Sequence, residues 1–297
     1  MIFKIIILIY QKLIKLNFDN KPKFLKYNKY NKYYMNKKLF NEYKLFMNKR
    51  KIIERKKKIK FVIIVPYRDD IKHIRKGQLD KFIDIIPDYL KNLESFYEYK
   101  IYIIEQNNKI NKFNRGILLN IGFLLLKDDF DYFIFHDIDL IPNNDLLSYY
   151  GLYPFNPIHI GDVNSKYSVG GKYFGGVNSF NKKDFELING FPNNYWGWGG
   201  EDDELYDRVV DNNLDIIVPI KGEYKEMKHN RPTKTEINEK KIMLRLQHNN
   251  WKRNGLNNIF ENNNISNNVN NKFKINYKIA LKKKKLNDNS EIISISF

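Results

Sequence analysis

The stretch FVIIVPYRDD, residues 61–70, passes from a block of apolar, mostly β-branched residues into Pro66, an arginine and two acids. A run that is apolar at every position, rather than at alternate positions, is typical of a strand covered on both faces of a sheet. The proline ends the run because it cannot donate a hydrogen bond to a neighbouring strand. We therefore predict a buried strand here, with polar residues at its carboxyl end.

Two further strand patterns follow, each separated from the preceding one by a helical pattern. The strands are predicted at YKIYIIEQ, residues 99–106, and at DYFIFHDIDLIP, residues 131–142. Apolar residues recur at helical spacing in residues 74–96, where Pro87 is expected to start, bend or interrupt the helix, and in residues 113–128. This order predicts an α/β fold with a mostly parallel sheet and helices on both faces. Ligands of such sheets bind beyond the carboxyl ends of the strands.

The positive charge of the chain is concentrated at its N-terminus. The net charge is +18, yet residues 1–60 hold 19 Lys and Arg against three acids, whereas residues 61–297 hold 33 against 31. We therefore divide the chain into a basic N-terminal segment, residues 1–58, and a folded domain, residues 59–297. A nearly neutral domain is not expected to bind nucleic acid, and charge blocks of this kind are usually solvated tails.

The first 18 residues, MIFKIIILIYQKLIKLNF, are apolar but interrupted by three lysines. Three interpretations remain open: a weak signal-anchor, an amphipathic helix lying on a membrane, or a helix packed on the domain. The chain has no cysteine, which excludes disulfides and thiolate metal sites. Both a reducing compartment and the secretory pathway remain open.

Asp137 and Asp139 follow the third predicted strand at alternate positions and therefore share a face. Two carboxylates this close disfavour joint ionisation unless a cation lies beside them. Oxygen ligands suit a hard divalent ion, so the pair is a candidate metal site, with capping of the following turn as the alternative. His229 follows the strand-like DIIVPI of residues 215–220, and is either a structural histidine or the partner of Asp139 in that site.

Two arginines stand where the strand ends are expected to meet. Arg68 follows the first strand and Arg115 opens the second helix. Each could donate to the phosphates of a nucleotide sugar, or form a surface ion pair instead. The chain lacks the glycine-rich signatures of dinucleotide-binding and P-loop proteins.

The run FPNNYWGWGGEDDELYDR, residues 191–208, combines glycines, two tryptophans and consecutive acids. Glycines around Trp196 and Trp198 favour a loop that can move, and an indole face can stack on a sugar ring. The acids open a helical pattern, where carboxylates complement the helix dipole. Three acids in succession, residues 201–203, exceed what capping needs, so one of them is a candidate general base.

These motifs together resemble the β-1,4-galactosyltransferase family, over about residues 60–280 and in one order. The resemblance is carried by FVIIVPYRDD, FNRGILLNIGF, FHDIDLIPNND and EMKHNR, and most specifically by YFGGVNSFNKKDFELINGFPNNYWGWGGEDDELYDRV, residues 173–209. It implies a nucleotide-sugar-binding fold of the GT-A type, forming a single catalytic domain after the basic segment. It also implies an inverting, manganese-dependent reaction.

The resemblance implies roles for individual residues. Asp202 would be the catalytic base, and Asp203 would bind the acceptor. Asp139, His229 and Glu226 would hold Mn²⁺. The UDP-sugar donor would contact Pro66, Tyr67, Arg68, Phe113, Arg115, Asp137, Tyr173, Gly176, Trp198 and Glu201. A tyrosine at the position of Tyr173 goes with galactose in this family, whereas smaller side chains there admit N-acetylgalactosamine.

The chain departs from the family pattern in three respects. Asp69 and Asp70 stand where the family has asparagine and arginine, so a basic donor contact is missing there. Glu226 occupies the methionine position of the family's Met-x-x-His motif, and Met227 lies one residue later. We prefer Glu226 as the ligand, because a carboxylate oxygen suits manganese. The family's disulfide cysteines are absent, which weakens the case for a lumenal setting.

The resemblance thus implies transfer of galactose from UDP-galactose to a hydroxyl of a glycan or glycoconjugate, in a β-1,4 linkage. The alternatives are use of UDP-N-acetylgalactosamine by the same fold, or a catalytically inactive sugar-binding relative. The expected setting is the lumenal side of a Golgi or other secretory-pathway membrane, with the cytoplasm as the alternative. The N-terminus is a candidate for membrane association.

Overall fold

The computed structural model describes residues 32–34, 58–69, 75–107, 112–163, 173–228, 233–261 and 275–296. Its strands are β1 (Lys32–Tyr34), β2 (Ile59–Tyr67), β3 (Tyr97–Gln106), β4 (Tyr132–His136), β5 (Leu140–Pro142), β6 (Val177–Asn181), β7 (Ile216–Val218), β8 (Tyr224–Glu226), β9 (Ile259–Glu261), β10 (Ile275–Asn287) and β11 (Ser290–Ser296). Its α-helices are α1 (Lys76–Leu90), α2 (Arg115–Leu126), α3 (Leu147–Tyr150), α4 (Lys182–Leu187), α5 (Glu201–Asp211) and α6 (Lys234–Gln247). Short 3-10 helices cover Lys91–Leu93, Asn144–Leu146, Ile160–Val163, His248–Arg253 and Leu256–Asn258. None of the helices described is both long and apolar enough to cross a bilayer, and residues 1–18 lie outside the described ranges.

The core is a seven-stranded sheet in the order β6-β4-β2-β3-β11-β10-β9. β2 pairs in parallel with β3 and with β4, so the three strands predicted from the sequence are neighbours. β11 extends the parallel set beyond β3. β6 runs antiparallel to β4, and β10 runs antiparallel to β11. The predicted α/β fold with a mostly parallel sheet is confirmed.

Helices cover both faces of the sheet, which explains why β2 is apolar at every position. Phe61, Ile63 and Val65 pack with α1 in one apolar cluster. Val62 and Ile64 pack with α2 in the other. All five side chains are completely buried. Because β2, β3 and β4 are parallel, their carboxyl ends open at one edge of the sheet, where ligands of such folds bind.

α1 continues through Pro87 to Leu90, so the proline neither starts nor ends the helix. A proline in this turn leaves the carbonyl of Ile83 without its helical donor. The Nδ2 group of Asn287 donates to that carbonyl at 3.1 Å. The end of β10 therefore supplies the hydrogen bond that Pro87 cannot make.

The C-terminal side of the sheet contains two strands that the sequence pattern does not indicate, β9 and β11. The pattern predicts a last strand near residues 272–281, whereas the structure has β10 and then β11. β11 pairs with β3, and Ile293 and Ile295 are buried in the cluster that includes α2. The alternation of serine and isoleucine after Asn289 was the available signal for this strand.

Three residues of the predicted N-terminal segment lie against the folded domain. β1 pairs in parallel with β7, in the register Lys32 to Ile216 through Tyr34 to Val218. The first strand of the large sheet begins at Ile59. The division of the chain between residues 58 and 59 stays a prediction.

The loop before α5 is held by a buried polar network. Arg208 is completely buried, and its Nε lies 3.1 Å from Oε1 of Glu204. Its other nitrogens donate to the carbonyl oxygens of Gly190, at 2.8 Å, and Asn254, at 2.7 Å. The side chain of Asn193 donates to the carbonyl of residue 255 at 2.7 Å. These bonds fix the position from which α5, with its row of acids, begins.

We expect Arg208→Met to destabilise the fold strongly, because it leaves Glu204 buried without its cation. The loss in free energy of unfolding should be about 3–5 kcal/mol, measured by denaturant titration. Lys127→Met is the matched control, because it breaks a partly exposed 3.2 Å pair with Glu186. That change should cost less than about 1 kcal/mol. Equal losses for the two variants would contradict the role given to Arg208.

Candidate active site

Hydrogen bonds that hold the loop after β3 determine the position of Arg115. The side chain of Gln106 donates to the carbonyl of Lys112 at 3.0 Å and accepts from the amide of Asn114 at 2.9 Å. Asn114 caps α2 by accepting from the amide of Ile117 at 3.0 Å. Arg115 is the first residue of α2, and it reaches the end of the neighbouring strand β4.

The Arg115 guanidinium lies between two carboxyl groups from different elements. Its Nε is 2.7 Å from Oδ1 of Asp137, and one terminal nitrogen is 3.6 Å from Oε1 of Glu201. Both terminal nitrogens are buried, and neither donates a hydrogen bond to a described residue. Buried donors of this kind are suited to an anion bound beside them.

Burial raises the pKa of both carboxyl groups that face Arg115. For Asp137, burial is the largest cause, the charge of Arg115 opposes it, and Asp139 adds to the rise. For Glu201, burial and the charge of Asp202 raise the pKa to about 8, although Arg115 lowers it. A carboxyl with such a pKa retains a proton near neutral pH, and can donate a hydrogen bond to a sugar oxygen.

Asp202, the predicted base, packs against a glycine that cannot be enlarged without displacing it. A Cβ on Gly175 would stand 2.5 Å from Oδ2 of Asp202 and 2.7 Å from the hydroxyl of Tyr173. Asp202 and Tyr173 therefore face the same small space. Gly176, at φ +71°, has the left-handed conformation that favours glycine, and its carbonyl accepts from the amide of Asp137 at 2.9 Å.

Asp203 is paired with a lysine from α6. The Nζ of Lys240 lies 2.6 Å from Oδ2 of Asp203 and 5.1 Å from the ring centroid of Trp198. Burial and the charge of Asp202 raise the pKa of Asp203 to about 6, although Lys240 lowers it. One ammonium group thus joins the predicted acceptor residue to the tryptophan loop, residues 195–200.

The tryptophan loop lies between the start of α2 and α6. Gly197 donates from its amide to the carbonyl of Phe113 at 2.8 Å. The φ angles of Gly197, Gly199 and Gly200 are +91°, +76° and +101°, a conformation that other residues rarely adopt. The loop and α6 line an open cavity of about 350 Å³, whose lining includes Trp196, Trp198, Lys240, Ile242 and Met243.

The end of β2 brings two of the predicted donor residues together. Arg68 lies over the ring of Phe113, with its guanidinium carbon 5.8 Å from the ring centroid. Pro66 and Tyr67 are the last residues of β2, which therefore continues past the proline instead of ending at it. Arg68 follows directly, at the ligand-binding edge of the sheet.

Two of the predicted metal ligands, Asp139 and Glu226, lie where β5 pairs with β8. Glu226 stands opposite Leu140 in the register, and the amide of Met227 donates to the carbonyl of Asp139 at 2.7 Å. His229 lies outside the described residues, and among those described no three potential metal-binding side chains converge. The donor chemistry fits a hard divalent ion, because the buried Asp139 and the neighbouring Glu226 offer carboxylate oxygens. The choice of Glu226 over Met227 stays a prediction.

A buried hydrogen-bonded chain supports this segment from behind. Nδ1 of His136 must donate to the carbonyl of Asp137, 2.8 Å away, because a carbonyl only accepts. Its Nε2 therefore accepts from the hydroxyl of Tyr150 at 2.7 Å, which in turn accepts from Tyr224 at 3.0 Å. Burial lowers the pKa of His136 to about 4, so the ring is neutral. The chain connects β4 to β8.

Sequence reasoning missed two cations of the site. Lys240 stands in a lysine-rich helix that gives no sign of its contact with Asp203. Arg75 precedes α1, and its guanidinium lies 3.9 Å from Oδ2 of Asp139. Its position at the start of the first helix was a weak signal, because that helix begins at the ligand-binding edge.

Two protein-family models match the chain. The model described as the N-terminal region of glycosyl transferase group 7 matches residues 23–151. The model described as the N-terminal domain of galactosyltransferase matches residues 158–230. The two matched ranges together include every site residue predicted from the sequence.

Similar curated proteins carry one family name. The β-1,4-galactosyltransferase 4 of Rattus norvegicus is 37% identical over 206 residues, which cover 65% of this chain and 56% of the relative. The β-1,4-galactosyltransferase 1 of Homo sapiens is 37% identical over 190 residues, which cover 62% of this chain and 45% of the relative. The chain therefore spans about half the length of the curated relatives that it matches.

Similar solved structures agree with this. The catalytic domain of a Drosophila β-1,4-galactosyltransferase 7 in complex with xylobiose superposes with a TM-score of 0.60 at 25% identity, covering 80% of this chain and 94% of that one. A mutant of the same enzyme, solved with manganese, UDP-Gal and xylobiose, gives the same values. The predicted GT-A type of fold is confirmed. By its motifs, its relatives and its fold, this chain belongs to the β-1,4-galactosyltransferase family.

Proposed function

We propose that this chain is an inverting, metal-dependent transferase that moves galactose from UDP-galactose to a hydroxyl of a sugar acceptor, in a β-1,4 linkage. The observation that carries the proposal is the environment of three consecutive acids. Glu201 lies beside Arg115, Asp202 packs against Gly175, and Asp203 is paired with Lys240. This arrangement supports a donor at one end, an acceptor at the other, and a base between them.

Asp202 acts on the acceptor hydroxyl. Its carboxylate takes the hydroxyl proton as the acceptor oxygen forms a bond to the anomeric carbon of galactose. The bond from that carbon to the diphosphate breaks at the same time, and its electron pair leaves with UDP. Attack opposite the leaving group inverts the anomeric configuration, through an oxocarbenium-like centre.

Charged groups at the donor end offset the negative charge of the leaving diphosphate. The buried terminal nitrogens of Arg115 are available for this, and the Glu201 carboxyl can donate to a sugar oxygen. Mn²⁺ held by Asp139, His229 and either Glu226 or Met227 supplies Lewis-acid stabilisation when bound. The solved neighbour that contains manganese and UDP-Gal supports this choice of metal and donor.

Donor selection rests on Tyr173. A Cβ on Gly176 would stand 3.3 Å from the Tyr173 hydroxyl, so the tyrosine narrows the space around both glycines. The narrow space favours galactose over N-acetylgalactosamine, which remains the alternative donor. A catalytically inactive sugar-binding relative is the other alternative, because of the acids at Asp69 and Asp70.

The proposed setting is a secretory-pathway membrane, lumenal side, with the N-terminal segment as the membrane-associated part. The support for this setting is indirect: the curated relatives are named as galactosyltransferases, and the setting is the one expected for that family.

The function is tested with the full chain, UDP-galactose, Mn²⁺ and a panel of neutral sugar acceptors. We expect transfer that a chelator abolishes, measured by UDP release and by product mass. Asp202→Asn should lose transfer by at least about 100-fold, the range expected for a general base, while it still binds UDP in calorimetry.

The matched control is Asp211→Asn, which makes the same chemical change at the other end of α5. It should transfer galactose at the wild-type rate. Near-normal transfer by Asp202→Asn would contradict the base assignment. Preference for UDP-N-acetylgalactosamine would favour the alternative donor, and UDP binding without any transfer would favour the inactive relative.

Gly175→Ala should slow transfer about 10- to 100-fold, because the added methyl would displace Asp202 or Tyr173 from a contact of less than 3 Å. The turnover number with saturating donor and acceptor is the measurement. Gly77→Ala is the control, since a Cβ there meets nothing within 4 Å. If both variants turned over at the wild-type rate, Asp202 would not occupy the position given to it.

Lys240→Met should move the acid limb of the pH profile to higher pH. Lys240 lowers the pKa of Asp203, which stands at about 6, so its removal raises that pKa further and protonates the carboxyl at a higher pH. A protonated Asp203 cannot accept a hydrogen bond from the acceptor through both oxygens, so kcat/KM for the acceptor should fall first. Lys241→Met, one residue along α6, should leave the limb in place. A profile that is unchanged in Lys240→Met would refute the pairing as a feature of the working enzyme.

A further inference from the structure

The chain lacks a basic residue directly after Arg68, where it carries Asp69 and Asp70. Asp70 lies outside the described residues. The carboxylate of Asp69 accepts from the backbone amides of Arg75, at 3.0 Å, and Lys76, at 3.3 Å. Asp69 therefore occupies free donors at the start of α1, and these amides are not available to a phosphate.

Arg75, at the other end of the loop that follows Arg68, places a cation near the same edge of the sheet. Its Nη1 lies 3.9 Å from Oδ2 of Asp139, which is long for an ion pair. The same nitrogen donates to Oε1 of Gln78 at 3.5 Å. Gln78 in turn donates from Nε2 to the carbonyl of Lys228 at 2.9 Å. The guanidinium therefore stands between Asp139 and the segment that leads to His229.

Three properties of Arg75 suit a polyanion bound at this edge. Its side chain is partly exposed, so a ligand can reach it. A guanidinium carries five donors in a planar fork, and the contacts of Arg75 with Asp139 and Gln78 both engage Nη1. Asp139, the proposed metal ligand, is its nearest described anion, so a diphosphate held by the metal would lie within reach of the same fork.

We propose that Arg75 binds the diphosphate of the UDP-sugar, and so supplies the positive charge that the acids at Asp69 and Asp70 do not. This proposal rests on the proposed function. A residue that only steadies Asp139 would weaken UDP binding through Mn²⁺, so the loss would disappear when UDP binding is measured without the metal. A direct diphosphate contact weakens UDP binding both with and without Mn²⁺ and leaves nucleoside binding unchanged, and these differences make the proposal testable.

The experiment compares the affinities of UDP and uridine for the full chain, once at saturating Mn²⁺ and once with a chelator in place of the metal. Calorimetry measures UDP, and ligand-observed NMR measures the weaker nucleoside. Arg75→Gln should weaken UDP binding about 10- to 100-fold, the range for a hydrogen bond to a charged group, with uridine binding unchanged. Arg75→Lys should recover part of the loss, because it restores the charge without the fork.

Lys76→Gln is the matched control, because it removes the same charge one residue further along. It should bind UDP within about twofold of the wild-type protein, since a solvated charge is largely screened. Thermal unfolding of each variant checks that the fold is kept; Arg75 contributes its backbone amide to the Asp69 cap, so the substitutions leave that bond in place.

Each outcome decides the question. Unchanged UDP affinity in Arg75→Gln would overturn the role of Arg75 and leave the proposed function standing. Parallel losses of UDP and uridine affinity, an equal loss in Lys76→Gln, or a loss of UDP affinity that occurs only with Mn²⁺ would also overturn it. A wild-type chain that binds uridine and UDP equally would overturn both this inference and the proposed donor.

Discussion

The pairing of Arg115 with Asp137 and Glu201 is the interaction on which the site depends. The site gathers Asp137, Asp139 and three of the acids that open α5, residues 201–203, and carboxylates that are close together in a buried place repel one another. Guanidinium is the one side-chain cation that burial does not discharge. It lies 2.7 Å from Asp137 and 3.6 Å from Glu201, so it holds together one acid that follows β4 and another that opens α5.

Arg115 can do this because two separate parts of the fold fix its helix. Gln106 ties the loop to the end of β3, and Asn114 caps α2. The side chain of Asn114 also donates to the carbonyl of Asn193 at 2.8 Å, and Asn120 donates to the side chain of that residue at 2.9 Å. Asn193 belongs to the loop that leads to the tryptophans and to α5. The placement of Arg115 and the placement of the acids that it neutralises are therefore set by the same hydrogen bonds.

Much of this could be predicted from the sequence, because the signals were local. An apolar run is a property of neighbouring residues, so FVIIVPY was enough to predict a central strand, and the alternation of strands and helices gave the parallel order. Acids at a helix start are equally local, and residues 201–204 form the first turn of α5. The individual roles of Asp202 and Asp203 came from the family resemblance alone, and no property of the residues distinguishes the two in sequence.

The parts that could not be predicted depend on contacts between distant residues. Lys240 pairs with Asp203, which is 37 positions away in the sequence. The sequence does not indicate which lysine of this helix forms the pair. Arg75 and Asp139 are in contact although they are 64 positions apart in the sequence. The pattern of apolar residues does not define the path of the loop that precedes Arg75. The strand β11 was missed although its alternation was visible, because a seven-residue strand after an Asn-rich stretch competes with the expectation of a loop.

A transferase of this kind must bind two ligands, a sugar acceptor and a nucleotide diphosphate, that require side chains of opposite charge at one site. Sugar hydroxyls donate hydrogen bonds and are best met by carboxylates, whereas a diphosphate is met by cations. The fold separates the two demands along the chain. Arg68, Arg75 and Arg115 come from the loops and helix starts after the first two parallel strands, while the acids come from the start of α5.

The proposed metal ligands Asp139 and Glu226 lie on the segments joined by the β5–β8 pairing, where the two halves of the chain meet. A divalent ion there would neutralise the acidic half on its phosphate side, which is why the chain can place so many carboxylates beside a ligand that is itself an anion.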